Sequence, residues 1–146
     1  MQTAFLFIES HGGRTGLVRI ALAQSPPRLP EEAQPGPRRI HYLARYNDGD
    51  AALMHVHELL HRHLVDVDSG LYKVSVEQAV AAAESLDLAH ERLFLDPALG
   101  DAALIWIETR AEALVKRRRL HDRLFYLLGY AALALGIAQL LMVLFV

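Results

Sequence analysis

The last 23 residues of the sequence, which begin at Leu124 and end at Val146, contain no charged side chain. Gln139 is the only strongly polar residue among them. As an α-helix this run would be about 35 Å long, at about 1.5 Å per residue, and the hydrocarbon core of a bilayer is about 30 Å thick. A buried core helix is the alternative, but core helices rarely run this far without a charge. The run therefore predicts one slightly tilted transmembrane helix.

A basic cluster precedes this run. Residues 116–119 read Lys-Arg-Arg-Arg, and Arg123 follows them. Because basic residues flanking a transmembrane helix stay in the cytoplasm, the cluster places the N-terminal domain there. Tyr126 and Tyr130 lie where aromatic side chains favour the membrane interface. Since the N-terminus does not resemble a signal peptide, the sequence predicts a single-pass, tail-anchored protein.

Small residues recur at intervals of four within the apolar run. Ala132 and Gly136 form one such pair, and Ala134 and Ala138 form another. This spacing lets two helix backbones approach closely, so it allows a homo-oligomer formed through the transmembrane helix. Alanine is common in any transmembrane helix, however, so a monomer stays open as well.

The composition narrows the class of protein. There is no cysteine, which excludes disulfides, thiolate catalysis and cysteine-ligated zinc. The net charge of −2 lacks the basic excess of nucleic-acid-binding proteins. Richness in arginine, alanine and leucine is typical of GC-rich bacterial genomes. Together with the apolar run, this predicts a protein of the bacterial inner membrane.

The first part of the chain is typical of β-structure. Residues 3–8 and 17–23 are apolar runs on either side of a glycine-rich turn, which predicts a β-hairpin. Residues 25–37 contain five prolines and should form a loop. Alternating polar and apolar residues at positions 39–46 predict a third strand.

The next part predicts helices. Apolar residues at helical spacing in 51–64 predict a helix with Asp50 as its N-cap. Residues 71–74 form a short extended segment. Ser75 and Gln78 have the spacing of a capping box, which opens a helix that runs to residue 86.

Two further helices are expected near the membrane. Residues 88–95 should form a short one. Asp96 and Pro97 are a typical helix start, and the helix they open should continue into the transmembrane run.

These elements predict an α/β fold of the α+β type. It has a small antiparallel three-stranded sheet flanked by helices, followed by a long helix that continues into one transmembrane helix. The predicted divisions are a cytoplasmic domain at 1–86, a helical juxtamembrane region at 87–123 and the transmembrane helix at 124–146.

The order of elements resembles the GIY-YIG nuclease-like superfamily, in particular its short phage-type branch. The resemblance covers residues 3–86. The segments that carry it are FLFIES at 5–10, LVRIA at 17–21, PRL at 27–29, VHELLH at 56–61 and GLYKV at 70–74. In that superfamily they correspond to an aromatic first strand, a V-K-I-G-like second strand, a proline–arginine segment, an L-E-x-x-L-H helix and a G-E-W-F-x-V-type segment.

The resemblance implies phosphodiester hydrolysis, which needs a tyrosine, an arginine for the phosphate and a glutamate for a divalent metal. Here the first strand offers Phe5 and Phe7, and His57 stands at the glutamate position. Glu58 is adjacent but about 100° around the helix. Only Arg28 is retained, either as a phosphate contact or as a solvated loop residue. The resemblance therefore implies an inactive relative that binds a partner protein or nucleic acid.

His57, Glu58 and His61 also match the H-E-x-x-H motif of zinc peptidases. Histidines four residues apart share one helical face, with the glutamate beside them as general base. A third ligand is required, and the downstream candidates are Glu77, Glu84, His90 and Glu91. The alternatives are an incidental metal, or no metal and a His57 that is hydrogen-bonded to a strand at the edge of the core.

Three functions follow from the sequence. The leading hypothesis is a tail-anchored protein with an inactive nuclease-like binding domain, which is not an enzyme and has no cofactor. The second is a membrane zinc peptidase, and the third is a structural subunit of a membrane complex. No Ser-His-Asp arrangement can be argued from spacing alone.

Overall fold

A computed structural model describes residues 3–11, 16–29 and 38–144. The chain forms two compact units, residues 1–112 and 113–146. The architecture is mixed α+β, as predicted. The predicted division at residues 86 and 123 stays a prediction.

The first unit contains a six-stranded antiparallel sheet rather than the predicted three-stranded one. Its strands are β1 (Ala4–His11), β2 (Val18–Ala23), β3 (Arg38–Tyr46), β4 (Leu64–Asp66), β5 (Leu71–Tyr72) and β6 (His90–Leu95), in the order β4-β5-β2-β1-β3-β6. The three predicted strands form the centre, with β1 between β2 and β3. The short strands β4 and β5 extend the sheet beyond β2, and β6 extends it beyond β3.

The helices are α1 (Gly49–Leu60), α2 (Val76–Glu84) and α3 (Gly100–Leu144), with 3₁₀ turns at His61–His63 and Pro97–Leu99. The N-cap of α1 is Asp48 and not Asp50, because the Asp48 carboxylate accepts a hydrogen bond from the Ala51 amide at 3.1 Å. The capping box of α2 is confirmed, since Ser75 and Gln78 each accept from the other's amide.

The prediction of a helix at residues 88–95 was wrong, because most of this segment is strand β6. It pairs with the edge of β3, where Tyr42 lies opposite Leu95 and Leu43 lies opposite Phe94. Phe94 and Leu95 join apolar clusters on opposite faces of the sheet. The conformation of residues 90–95 is therefore decided by pairing with the otherwise open edge of β3, and not by the intrinsic helix propensity of these residues.

The core lies between one face of the sheet and helices α1 and α2. The inner cluster includes Leu6, Ile8 and Tyr42 from the sheet, together with Val56 of α1 and Val80 of α2. Ile107, near the start of α3, is also buried in it. A smaller outer cluster of Phe7, Ile40 and Leu43, with Phe5 and Phe94 against it, lies on the other face of the sheet.

The second unit is α-helical as far as Leu144. In the described part of the chain, one helix is long and apolar enough to cross a membrane, with a mean hydropathy of 1.4 in its most apolar window and none of that window buried. The prediction of a membrane-spanning C-terminal helix is confirmed at this level of length and composition.

Candidate functional site

The residues at the nuclease-like positions belong to different parts of the N-terminal unit. Phe5 and Phe7 belong to the outer cluster. His57 lies on α1, which packs on the inner face, and its Nδ1 is 3.3 Å from the hydroxyl of Tyr72, a member of the inner cluster. Arg28 is exposed in a segment without regular structure. The sheet therefore separates the phenylalanines from His57.

The HELLH residues lie at the end of α1. His61 is exposed, and its Nδ1 donates to the backbone carbonyl of Glu58 at 2.7 Å, which holds the ring against its own helix. The Glu58 carboxylate is also exposed and lies 3.5 Å from His55 Nδ1. No group of three or more His, Asp or Glu side chains in the described ranges is placed to hold a metal ion.

Three of the four candidates for a third zinc ligand, Glu84, His90 and Glu91, form ion pairs that leave out His57 and His61. Glu84 lies 3.7 Å from His90 and 3.8 Å from Arg92. Glu91 forms an ion pair with Arg45 at 2.7 Å. The fourth candidate, Glu77, likewise belongs to no group of three within the described residues that would place it with His57 and His61.

A second charged pair joins β1 to β2. Glu9 is buried, and its carboxylate accepts a hydrogen bond from Arg19 at 3.0 Å. Arg19 also donates to the backbone carbonyl of Ser69 at 3.1 Å. Arg19, Arg38, Ser69 and Leu71 line a cavity of about 380 Å³. Glu9 neutralises Arg19, whereas no ion pair of Arg38 is found within residues 3–11, 16–29 and 38–144.

The most developed polar constellation was not predicted from the sequence. It joins Ser10 of β1, His41 of β3 and Asp96, the residue after β6. The Ser10 hydroxyl lies 2.7 Å from His41 Nε2, and His41 Nδ1 lies 2.9 Å from an Asp96 carboxylate oxygen. His41 and Asp96 are buried, whereas Ser10 is half-buried.

A β-bulge places His41 in this position. Along β3 the partner of Ile8 is Tyr42 and the partner of Glu9 is Ile40, so His41 is the extra residue. A bulge redirects a side chain out of the ordinary alternation of a strand. Tyr42 and Ile40 remain in the inner and outer clusters respectively, while His41 reaches toward Ser10 and Asp96.

Asp96 is fixed by several donors. Arg39 binds both carboxylate oxygens, through Nε at 2.6 Å and a terminal nitrogen at 2.8 Å. The Ala98 amide donates to the same carboxylate at 3.0 Å, because Asp96 caps the 3₁₀ turn. The Asp96 amide donates to the His41 carbonyl at 2.8 Å. These bonds leave the carboxylate little freedom to rotate.

The charges in this constellation follow from its surroundings. Burial lowers the pKa of His41 below its ordinary value, and the attraction of Asp96 only partly offsets this effect. Burial opposes ionisation of Asp96, but the hydrogen bonds from Arg39 and Ala98 outweigh it and hold the pKa of the carboxyl below its ordinary value. Near neutral pH the constellation therefore holds a neutral imidazole beside a carboxylate.

The tautomer of His41 follows from its partners. A carboxylate only accepts hydrogen bonds, so Nδ1 carries the proton that is donated to Asp96. Nε2 is then unprotonated and accepts a hydrogen bond from the hydroxyl of Ser10. This order of bonds, from hydroxyl to imidazole to carboxylate, is the one by which a base activates a serine.

Comparison with protein-family models, curated proteins and solved structures found no match for this chain.

Proposed function

We propose that the chain is a membrane-attached protein whose N-terminal unit binds a partner protein and does not hydrolyse phosphodiesters. The observation that carries the second part of the proposal, the lack of phosphodiester hydrolysis, is the separation of the nuclease-like positions by the sheet. Phe5 and Phe7 lack a hydroxyl and face the outer cluster, whereas His57 lies on the helical side. The proposed family relationship rests on the order of elements, from the hairpin to α2.

Membrane attachment is proposed to occur through the C-terminal helix. Its apolar part begins after the basic residues 116–119 and Arg123. The positive-inside rule then favours a single-pass arrangement in a bacterial inner membrane, with the N-terminal unit in the cytoplasm.

Charge favours a protein partner over nucleic acid. Residues 1–112 contain ten Arg and Lys residues against sixteen Asp and Glu residues, a net charge of −6. Such a unit repels the phosphate backbone at long range. The basic cluster at 116–119 is a short segment next to the apolar helix. Its charge there favours one orientation of the helix in the membrane.

The surface around the end of α1 offers apolar side chains to a partner. Met54 and Leu59 of α1 are 60% and 40% exposed, and Val65 and Val67 beyond it are 56% and 69% exposed. Exposed apolar side chains are common individually, but methionine and large apolar groups are typical of interface cores. We therefore expect the partner to contact this segment, residues 54–67.

A site-specific crosslinking experiment tests this proposal. A photoreactive amino acid at Val67 of the full-length membrane protein should give a discrete adduct with one protein, and Met54→Glu should abolish that adduct. Leu93 is also an exposed apolar residue but lies on β6, at the opposite edge of the sheet from β4, so the same amino acid at Leu93 is the matched control. Equal crosslinking from both positions would contradict the proposed surface.

The nuclease-like alternative needs its own assay. Full-length protein in detergent micelles should not nick supercoiled DNA with Mg²⁺ or Mn²⁺. Metal-dependent nicking that is lost in Arg28→Ala would contradict the proposal, because Arg28 is the one retained residue of the nuclease pattern.

The zinc peptidase alternative predicts about one zinc per chain. We expect far less than one zinc in tag-free protein, and no change in metal content with His61→Ala, because His61 is bound to its own helix. Stoichiometric zinc that disappears in His57→Ala would restore the peptidase hypothesis. Co-purification of several membrane proteins at fixed ratio, without dependence on Met54 or Val67, would favour a structural subunit.

A further inference from the structure

We propose that Ser10 is a nucleophile activated by His41, and that the site transfers the acyl group of a carboxylic ester to water. The inference rests on the two bonds that join Ser10 to His41 and His41 to Asp96, at 2.7 Å and 2.9 Å. It is independent of the partner-binding function proposed above.

The geometry meets the requirements for nucleophile, base and orienting group. A serine base has to lie within about 2.6–3.2 Å of the hydroxyl, and its second nitrogen has to be held by another group. His41 meets both conditions. Asp96 is a positioning residue, since it contacts His41 and not the hydroxyl.

Accessibility distinguishes Ser10 from its partners. Ser10 is half-buried near the end of β1, while His41 and Asp96 are buried behind it. Ser10 therefore keeps part of its surface open to solvent, and the proposal requires a reagent to reach the hydroxyl from that side while the base stays shielded from bulk water. The lowered pKa of His41 supports this arrangement, because only the neutral ring accepts the proton.

Hydrolysis of the ester through an acyl-serine needs only the ester and water as reactants. Ser10 Oγ forms a bond to the acyl carbon as the ester C–O bond breaks. His41 Nε2 takes the hydroxyl proton and then gives it to the leaving alkoxide, which departs as an alcohol. Water attacks the acyl-serine by the same proton route, releases the carboxylic acid and restores Ser10. An ester suits this site because an alkoxide is a better leaving group than the nitrogen of an amide, so its departure depends less on proton transfer from His41.

The same bonds also tie β6 to β3 and β1, which is a purely structural role. The two roles differ in what they require of Ser10. A structural bond is satisfied by a hydroxyl of ordinary reactivity, whereas the proposed base increases reactivity by about 10²–10⁴-fold. Reactivity at Ser10 is therefore the quantity to measure.

The first experiment treats full-length protein in detergent micelles with a fluorophosphonate probe and maps the modified residue by mass spectrometry. Attack by Ser10 Oγ forms an O–P bond, releases fluoride and passes the proton to His41. We expect modification at Ser10, its loss in Ser10→Ala, and a fall of about 10²-fold or more in His41→Gln. Ser69 is the internal control, since its hydroxyl donates to Asp66 and no histidine hydrogen bond to it is described.

The rate of modification should rise with pH as His41 loses its proton, and Asp96→Asn should alter that profile as well as the rate. A purely structural Asp96 would leave the pH profile of the correctly folded fraction unchanged.

A second measurement keeps the test decisive if His41→Gln does not fold. The chain has no cysteine, so Ser10→Cys and Ser69→Cys each introduce a single thiol. The Ser10→Cys thiol should react with iodoacetamide at neutral pH at least about tenfold faster than the Ser69→Cys thiol, because His41 would remove its proton. Equal alkylation rates, together with no probe on Ser10, would overturn the proposal and leave the constellation as a structural link.

Discussion

The Arg39–Asp96 ion pair should be the most important charged contact of the N-terminal unit. Asp96 is 4% exposed, and Arg39 supplies two of its hydrogen bonds. Arg39→Ala leaves a buried carboxylate with fewer donors, so we expect a loss of about 1–3 kcal/mol in the free energy of unfolding. Since the Arg39 side chain is 52% exposed, solvent should keep the loss toward the lower end. Urea unfolding of the full-length protein in detergent measures it.

Arg45→Ala is the matched control for that variant. Arg45 also pairs with a carboxylate through a sheet contact, but both it and Glu91 are more than half exposed. An exposed pair of this kind contributes about 0–1 kcal/mol. Similar losses in Arg39→Ala and Arg45→Ala would contradict the importance assigned to Asp96.

Protonation of His41 should make the fold less stable in acid. The charged or hydrogen-bonded groups that face His41 are Ser10, Arg39, Asp96 and Glu77. The pKa of His41 is lowered in the folded state, so the unfolded chain binds the proton first as pH falls through the ordinary value of 6.5. Stability should therefore decrease below about pH 6.5, with a further loss below 3.8 as Asp96 is protonated.

Thermal unfolding measured between about pH 8 and pH 5 checks the histidine part of this prediction. The temperature of the unfolding midpoint should decrease as the pH is lowered from about 8 to about 5 in the natural protein. This decrease should be smaller in His41→Gln. His61 is exposed and lies outside the constellation, so His61→Gln is the matched control for replacing a histidine. An unchanged pH dependence in His41→Gln would assign the effect to other groups.

Local signals in the sequence predicted some of these residues and not others. The capping box of Ser75 and Gln78 lies within four residues, so its spacing is visible. Asp48 and Asp50 are both able to cap α1, and only the backbone geometry selects Asp48. Ser10, His41 and Asp96 come from three distant segments, and the bulge at His41 has no distinctive sequence pattern. The constellation was therefore beyond sequence reasoning.

At the scale of elements, the approach of α1 to β1 depends on Gly49. A Cβ at this position would lie 2.4 Å from the Cβ of Ala4, which is too close for two carbon atoms. Gly49→Ala must shift the start of the helix or the strand, so we expect a loss of about 1–3 kcal/mol in the free energy of unfolding. Urea unfolding again provides the measurement.

A double-mutant cycle with Ala4→Gly tests the physical reason. Removing the Ala4 methyl makes room for the new one at position 49. The loss of stability in the double variant should therefore be smaller than the sum of the two single losses, by about 0.5 kcal/mol or more. Simple additivity of the two losses would show that the clash with Ala4 is not the cause.

The central strands and both packed helices of the unit could be predicted because each has a local sequence signal. Strands β1 and β2 are short apolar runs, β3 alternates, α1 has helical spacing and α2 opens with a capping box. Strand β6 could not be predicted, because its residues suit a helix as well as a strand and the open edge of β3 decides between them. Strand β4 has only three residues, too few for any period to show.

At the scale of the whole molecule, the C-terminal helix should decide where the chain resides. Deleting residues 124–146 should release the protein into the soluble fraction, whereas the full-length chain should leave the membrane only with detergent. Replacing Leu133 by arginine adds about 2.5–3.5 kcal/mol to the cost of insertion near the centre of the apolar run. Leu120→Arg, before that run, should have little effect on insertion.

The orientation of the chain can be measured directly because the chain lacks cysteine. Ser25 is exposed in the N-terminal unit, so Ser25→Cys gives one reporter thiol on that side of the membrane. The basic residues 116–119 should hold the unit in the cytoplasm. A membrane-impermeant maleimide should therefore label Ser25→Cys in lysed cells and not in intact spheroplasts. Labelling in intact spheroplasts would place the N-terminal unit outside, where neither a cytoplasmic partner nor a cytoplasmic ester could reach it.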